Sequence, residues 1–217
     1  MSTPPPYKQI RASYNADTIT VYQAYNRAIA TAAVAEQKLH ASPAFKPTRM
    51  TWIKPSWAWM LYRAGYSYKD PGQERILALK MKHADLIRLL ETAVLTTAHG
   101  SEPETAGVVE APQAAAGAKP KSANVKVQWD PERTVRLERL EYRSIQIGIP
   151  AALSPTWTEK WIVSIEDVTE RARELKRVLD ERQDVTEKEL VDMGLVPVER
   201  PFEIPESLQL SLGMVLK

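Results

Sequence analysis

The chain has 217 residues, 44% of them hydrophobic and 26% charged, the make-up of a globular domain that can bury its own core. It has no cysteine and only three histidines, which excludes disulfide scaffolds, Cys-ligated zinc, iron–sulfur clusters and thiol nucleophiles, and weighs against a multi-His metal site. The net charge of +2 hides an asymmetry: residues 1–97 carry 13 Lys+Arg against 6 Asp+Glu, whereas residues 125–217 carry 14 against 18, so one face is expected to be tuned to an anionic partner.

In chain order, residues 1–7 begin Met-Ser-Thr-Pro-Pro-Pro and are expected to be a disordered lead-in. Thr18 to Tyr25 is rich in β-branched and aromatic residues and predicts a strand, with Lys8 to Tyr14 pairing to it through a turn at Asn15-Ala-Asp17. Asn26 is a good N-cap for a helix over Ala28 to Leu39, with Ile29, Ala33 and Gln37 on one stripe. Pro55 to Ala64 predicts a short helix, Pro55 suiting its first position and Gly65 the position past its end. Arg75 to Met81 reads as a strand, and Ala84 to Thr97 as a helix from the spacing of Leu86, Leu89, Leu90, Ala93 and Val94.

Residues 98–124 hold eight alanines, three prolines, three glycines and no aromatic residue, the composition of a long flexible insertion. Beyond it, Val125 to Trp129 and Tyr142 to Ile149 alternate as strands. In the second, Ile145, Ile147 and Ile149 face one side, and Tyr142, Ser144 and Gln146 line the other. Pro155 to Ile165 and Thr169 to Arg182 are expected to be mainly helical, and the Pro-containing tail 193–217 irregular. The elements interleave without a regular βαβ rhythm. The expected fold is therefore α+β: a mixed or antiparallel sheet flanked by helices, one domain over 8–192 with the insertion inside it.

No Gly-x-x-x-x-Gly-Lys-Ser/Thr loop, Gly-x-Gly-x-x-Gly turn, Gly-x-Ser-x-Gly elbow, His-Glu-x-x-His helix or Lys-x-Asp-Gly ligase motif is present. No apolar run approaches membrane-spanning length and residues 1–6 have no signal-like apolar region, so the expected compartment is the cytoplasm. No carboxylate pair stands out for acid–base work.

The informative segment is Gln37 to Lys69, 33 residues without Asp or Glu. It contains Lys38, Lys46, Arg49, Lys54, Arg63 and Lys69, interleaved with Phe45, Trp52, Trp57, Trp59, Tyr62, Tyr66 and Tyr68. Arg and Lys neutralise phosphate, and aromatic faces stack on bases. Tryptophans at helical spacing more often pack a core, but an acid-free run is unusual for a solvated face, which mixes signs. Lys54 precedes Pro55 at the expected start of a helix, where free N–H groups would make a phosphate cradle. An enzyme built from this set would clamp and polarise phosphate, with Lys, Tyr or Arg managing charge and protons.

Several blocks carry a resemblance: Gln9 to Ala12, Thr18 to Tyr25, Arg49 to Ser56, Trp59 to Gly65, Val127 to Arg133, Tyr142 to Gly148 and Trp161 to Thr169. Together they resemble the family catalogued as domain of unknown function 4291, over most of the chain from Lys8 to about Arg182; the 98–124 stretch departs from the family's shorter connection. The resemblance confers no reaction. It implies that the blocks meet around one site. The candidate catalytic residues are Lys54, Tyr22 and Arg49; the candidate substrate-binding residues are Arg11, Gln23, Trp52, Ser56, Arg63, Arg143, Ser144 and Gln146.

The leading expectation is an enzyme on RNA ends or nucleotides, transferring or joining a phosphoryl group at a 2′,3′-cyclic phosphate without ATP. Arg49, Arg63 and Arg143 would clamp phosphate, Lys54 would stabilise developing charge and Tyr22 would shuttle a proton. No cofactor, metal or membrane is expected. The alternatives are an ADP-ribosyltransferase-like enzyme using NAD, and a non-catalytic nucleic-acid-binding protein.

Overall fold

The computed structural model describes residues 5–96 and 124–214. The expected insertion, apart from Asn124, and lead-in residues 1–4 lie outside them. The described lead-in residues include Tyr7, whose carbonyl accepts from the Arg143 amide at 2.7 Å, so the lead-in is tied to the sheet at that point.

Nine strands are described: β1 (Arg11–Ala12), β2 (Thr18–Tyr25), β3 (Thr51–Ile53), β4 (Arg75–Lys82), β5 (Ala93–Leu95), β6 (Val125–Arg133), β7 (Arg139–Ile149), β8 (Ile162–Asp167) and β9 (Arg200–Pro201). The helices are α1 (Arg27–Glu36), α2 (Trp57–Ala64), α3 (His83–Glu91), a single turn α4 (Ser154–Thr156), α5 (Thr169–Glu181), α6 (Glu187–Asp192) and α7 (Glu206–Ser211). One antiparallel sheet has the order β2-β4-β8, a second the order β3-β7-β6-β5 with only β5 parallel to its neighbour, and β1 pairs with β9. The two larger sheets are joined where Tyr22 and Lys54 exchange backbone hydrogen bonds of 2.7 and 3.1 Å. The fold is α+β, a single domain of mixed and antiparallel sheets with helices packed against them.

Alternation along β2 and β4 sorts side chains into two cores, one on each side of the sheet. Ile19, Val21, Leu77, Leu79 and Met81 join Ile145, Ile147 and Ile149 of β7 beneath α1 and α3. Tyr22, Ala24, Ile76 and Ala78 face the other way, against Trp57, Met60 and Leu61 of α2 and Ala172, Leu175 and Leu179 of α5. Burial on both faces explains why Arg75 to Met81 reads as an almost continuous apolar run. Each fully buried Ile or Leu contributes about 1.5–3 kcal/mol.

The predicted caps are found where chemistry placed them. Asn26 accepts from the Ile29 amide and starts α1; Gly65 ends α2 with a left-handed φ of 54°. Asn15 accepts from the amides of Asp17 and Thr18, making the predicted turn. Gln37, at the end of α1, exchanges two hydrogen bonds of 2.9 and 2.8 Å with the Ile165 backbone and so covers part of the edge of β8.

Four expectations are corrected. The 8–14 segment meets β2 only at the Tyr14–Ile19 bridge; β1 pairs instead with β9, some 190 residues away in sequence. The expected helix 84–97 ends at Glu91, because Ala93 to Leu95 gains a parallel partner in Val125 to Val127. Within 155–165 the helical stretch runs to Trp161 and gives way to β8 at Ile162, since β-branched Ile162 and Ile165 pair against β4. The tail departs from its expected irregularity only in part: most of its described residues lie outside any element, but it supplies β9 and α7 and buries Phe202, Ile204, Leu208 and Leu212 in the first core. No helix among the described residues is long and apolar enough to cross a membrane.

Candidate functional site

The face of β7 opposite Ile145, Ile147 and Ile149 builds a polar row. Gln146 lies opposite Gln128 and Ser144 opposite Asp130 on β6; Gly148 lies between Trp52 of β3 and Lys126 of β6. Lys54, two residues beyond Trp52, continues that face. Gly148 is required here: a Cβ would stand 2.9 Å from Met50 Sδ and 3.0 Å from the Trp52 ring. Helix α2 packs against β6 and β2, and within the row Lys54 and Ser144 are buried while Gln128, Asp130 and Gln146 are half-buried.

Lys54 is 3% exposed and donates one hydrogen bond, at 3.3 Å, to the carbonyl of Trp52. Burial, and secondarily the Arg63 guanidinium on α2, push its ammonium down to about 7, against the opposing pull of Asp130. Asp130 accepts from Gln128 Nε2 at 2.6 Å, and its second oxygen is buried without a hydrogen-bond partner. Burial raises its carboxyl, while Gln128, Lys54, Gln146 and Arg143 work in the other direction. A proton donor near neutrality thus faces a carboxylate with spare acceptor capacity.

The start of α2 corrects the phosphate-cradle expectation. Pro55 lies before the helix and Ser56 is the N-cap, its Oγ accepting from the Trp59 amide at 3.0 Å. The Trp57 amide donates to Glu199 Oε1 at 2.6 Å, and the Ser56 hydroxyl donates to Glu132 Oε1 at 2.9 Å. The positive helix end is therefore occupied by the chain's own carboxylates. They also form the acid pair that the sequence did not reveal. Burial, more than the neighbouring charge of Glu132, lifts Glu199 to about 8. Burial likewise raises Glu132, partly offset by the Arg133 amide, Ser56, Ser144 and Arg11.

The structure brings Lys54, Ser56, Ser144 and Gln146 into this row, with Trp52 at its edge and Arg63 above it. Arg11 stands beside the helix start: its guanidinium donates to the Glu199 carbonyl at 3.1 Å, and its charge reaches Glu132, Glu199 and Tyr142. Arg143 lies on the other alternation of β7 and donates to Tyr7 Oη at 2.8 Å. Arg49 is exposed in the loop before β3 and joins none of these groups, so the three expected arginine clamps are not assembled. Gln23 faces the opposite side of β2 from Tyr22, with a buried, unpartnered Oε1. Tyr22 packs its ring 5.1 Å from Trp57, and burial, with Glu199, drives its hydroxyl far above the ordinary phenol range. At neutral pH it remains protonated and can donate a hydrogen bond but not act as a base.

Of the tryptophans, Trp57 is core. Trp59 stacks on Tyr62 at 5.1 Å, and Arg133 lies 3.7 Å above the Tyr62 ring. Among the described residues no group of three or more His, Asp or Glu is arranged to hold a metal ion.

An α+β fold with a partly buried lysine–carboxylate row beneath a short helix is the class these features define. The chain belongs to the family described as Domain of unknown function (DUF4291), whose model matches residues 9–202. No curated protein matches the chain.

The family match runs past the blocks that carry the sequence resemblance and takes in Glu199. Gln128, Asp130 and Glu132 were within one of those blocks, and the alternation of Val125, Val127 and Trp129 puts Lys126, Gln128 and Asp130 on the far face. What the sequence lacked was the register that sets them against Ser144 and Gln146. Nothing local in the tail marks Glu199 as a partner of Trp57.

Proposed function

We propose that this chain is an enzyme acting on the phosphate of an RNA end or nucleotide, with Lys54 as its proton carrier. The observation that carries the reading is a buried lysine, near neutrality, in a row of amides, a hydroxyl and a carboxyl with Arg63 above. Perturbed ionisation in a partly buried cluster is a mark of catalytic sites.

The reaction that suits these groups is an ATP-independent joining or transfer at a 2′,3′-cyclic phosphate. Neutral Lys54 takes the proton of an attacking hydroxyl as its oxygen bonds to phosphorus. The bond from phosphorus to one ring oxygen breaks, and Lys54 returns the proton it took to that oxygen. Opening the strained ring drives the step, so no nucleotide triphosphate is consumed. Arg63 and the amides of Gln128 and Gln146 balance charge on the non-bridging oxygens.

The test is a short labelled RNA ending in a 2′,3′-cyclic phosphate, incubated with wild type and Lys54→Met, each with and without ATP and NAD. Joined or transferred product without cofactor, lost in the variant, supports the reading. Product only with NAD replaces it by ADP-ribosyl transfer. Salt-sensitive binding without product replaces it by a nucleic-acid-binding protein. No binding removes RNA from consideration.

A further inference from the structure

A second polar cleft lies on the β2-β4-β8 sheet, beside the Lys54 row but not part of it. Its volume is about 180 Å³. The register builds it: Thr20, Lys80 and Ser164 form one cross-strand row, and Tyr22, Ala78 and Glu166 form the next. Ala78 leaves the floor open, since a larger side chain would fill the space between Tyr22 and Glu166. Arg171, in the first turn of α5, closes one side and pairs with Glu166 at 3.3 Å.

Several groups around this cleft have no partner among the described residues, although Arg171 and Glu166 hold each other. Tyr22 is 1% exposed, yet its hydroxyl carries no hydrogen bond among the described residues. Neither do the hydroxyls of Thr20 and Ser164, and the Lys80 ammonium has no ion pair. The Tyr22 ring packs against Trp57, which leaves its hydroxyl, with those of Thr20 and Ser164, around the alanine floor. With Arg171 paired to Glu166, the Lys80 charge is left unbalanced and favours an anion. Hydroxyls with one carboxylate favour a ligand that is itself hydroxylated, because the carboxylate accepts from sugar hydroxyls as it does at ribose sites. The volume is below the roughly 300–1,000 Å³ of drug-sized pockets, so it admits one compact unit.

We propose that this cleft binds a ribose phosphate, with Lys80 and Arg171 on the phosphate, and Glu166, Thr20, Ser164 and Tyr22 on the sugar. This site does not depend on the Lys54 row being catalytic.

Ribose 5-phosphate is titrated by calorimetry into the full chain, beside inorganic phosphate and ribose. Wild type is expected to bind ribose 5-phosphate more tightly than either part. Lys80→Ala, at an exposed position that does not endanger folding, should weaken binding about tenfold or more. Ala78→Leu should abolish it, with melting measured to confirm that the variant folds. Tyr22→Phe keeps the packing and should lose a few-fold. Arg177→Ala, on the outer surface of α5, should bind as wild type does. Competition with AMP and with a 5′-phosphorylated RNA then separates a free nucleotide from a nucleic-acid end, either of which supports the shared chemistry. Unchanged binding in Lys80→Ala, an equal loss in Arg177→Ala, phosphate binding as tightly as ribose 5-phosphate, or no binding would each overturn the proposal.

Discussion

The outer surface of α5 and the row beneath α2 use the same charged residue types to opposite effect. On α5, Arg177 lies between Glu174 at 2.5 Å and Glu181 at 2.7 Å, all in solvent. Hydrogen bonds accepted from Arg177 hold Glu174 below its usual range, and those that Arg177 donates to both glutamates push Arg177 up. Pairing favours the charged forms. Beneath α2, Lys54 is pushed down and Asp130, Glu132 and Glu199 are pushed up, each chiefly by burial. There burial favours the neutral forms. A dense charge pattern on a helix is thus a solvated surface, while a single lysine in an aromatic segment is buried with its ionisation perturbed.

The largest effect that tests this contrast is at Lys54. Lys54→Met should lower product formation from the cyclic-phosphate RNA by about 10²–10⁴-fold, the range for losing a general acid–base group. Its melting temperature should hold or rise, because an enclosed charge with one hydrogen bond gives way to an apolar chain of similar length. Lost activity accompanied by a collapse in melting would show that Lys54 is structural.

Glu199 and Lys54 should leave opposite slopes in stability against pH. Glu199 is raised from 4.5 to about 8, so between those values the native state holds more protons and stability falls as pH rises. Lys54 is lowered from 10.5 to about 7, so between about 7 and 10.5 the unfolded chain holds more protons and stability rises with pH. Together they contribute a minimum between about 7 and 8. Denaturation midpoints in urea from pH 4.5 to 10 check it: Glu199→Gln should flatten the acid limb and Lys54→Met the alkaline one. A wild-type profile without either slope would mean that both groups are well solvated.

The close approach of β3 to β7 gives the next effect. Gly148→Val must move Met50 or Trp52 and should cost about 1–3 kcal/mol of unfolding free energy, read by urea denaturation. A neutral result would mean that Trp52 swings aside freely and does not wall the row.

How much of this was legible follows the range of the interactions. The caps at Asn26 and Gly65, the turn at Asn15 and the alternation of Ile145 to Ile149 depend on neighbours within a few residues, and the sequence displays them. Ser144 and Gln146 were found by period alone, and Lys54 by the acid-free run around it. The helix at Ala93 and the one reaching Ile165 were misread because a distant strand outweighed local helical spacing. Glu199 and the β1–β9 pair depend on contacts across most of the chain, so nothing near them in sequence carries a signal. Arg49 and Arg143 drew notice by charge, and charge does not say which way a side chain points.

Ser56 joins the two kinds of information, since it is both a local cap and the partner of Glu132. Ser56→Ala should cost about 1 kcal/mol for the cap, and more if Glu132 is left with an unmet acceptor. Ser56→Asp separates the parts: it restores a cap acceptor but places a second carboxylate against Glu132. If the cap alone matters, Ser56→Asp recovers stability; if the Glu132 contact matters, it is worse than alanine at pH 8 and improves as pH falls.

The smallest effect belongs to the other side of the contrast. Arg177→Ala removes both ion pairs on α5, yet its groups are fully solvated, so the midpoint should shift least of all these variants. The shift should vanish in about 1 M salt, where screening acts over roughly 3 Å. The Glu199→Gln effect, enclosed at the helix start, should survive the same salt. Equal salt sensitivity in both would mean that water reaches Glu199 as freely as Arg177, and the distinction between the two regions would then be one of pairing and not of burial.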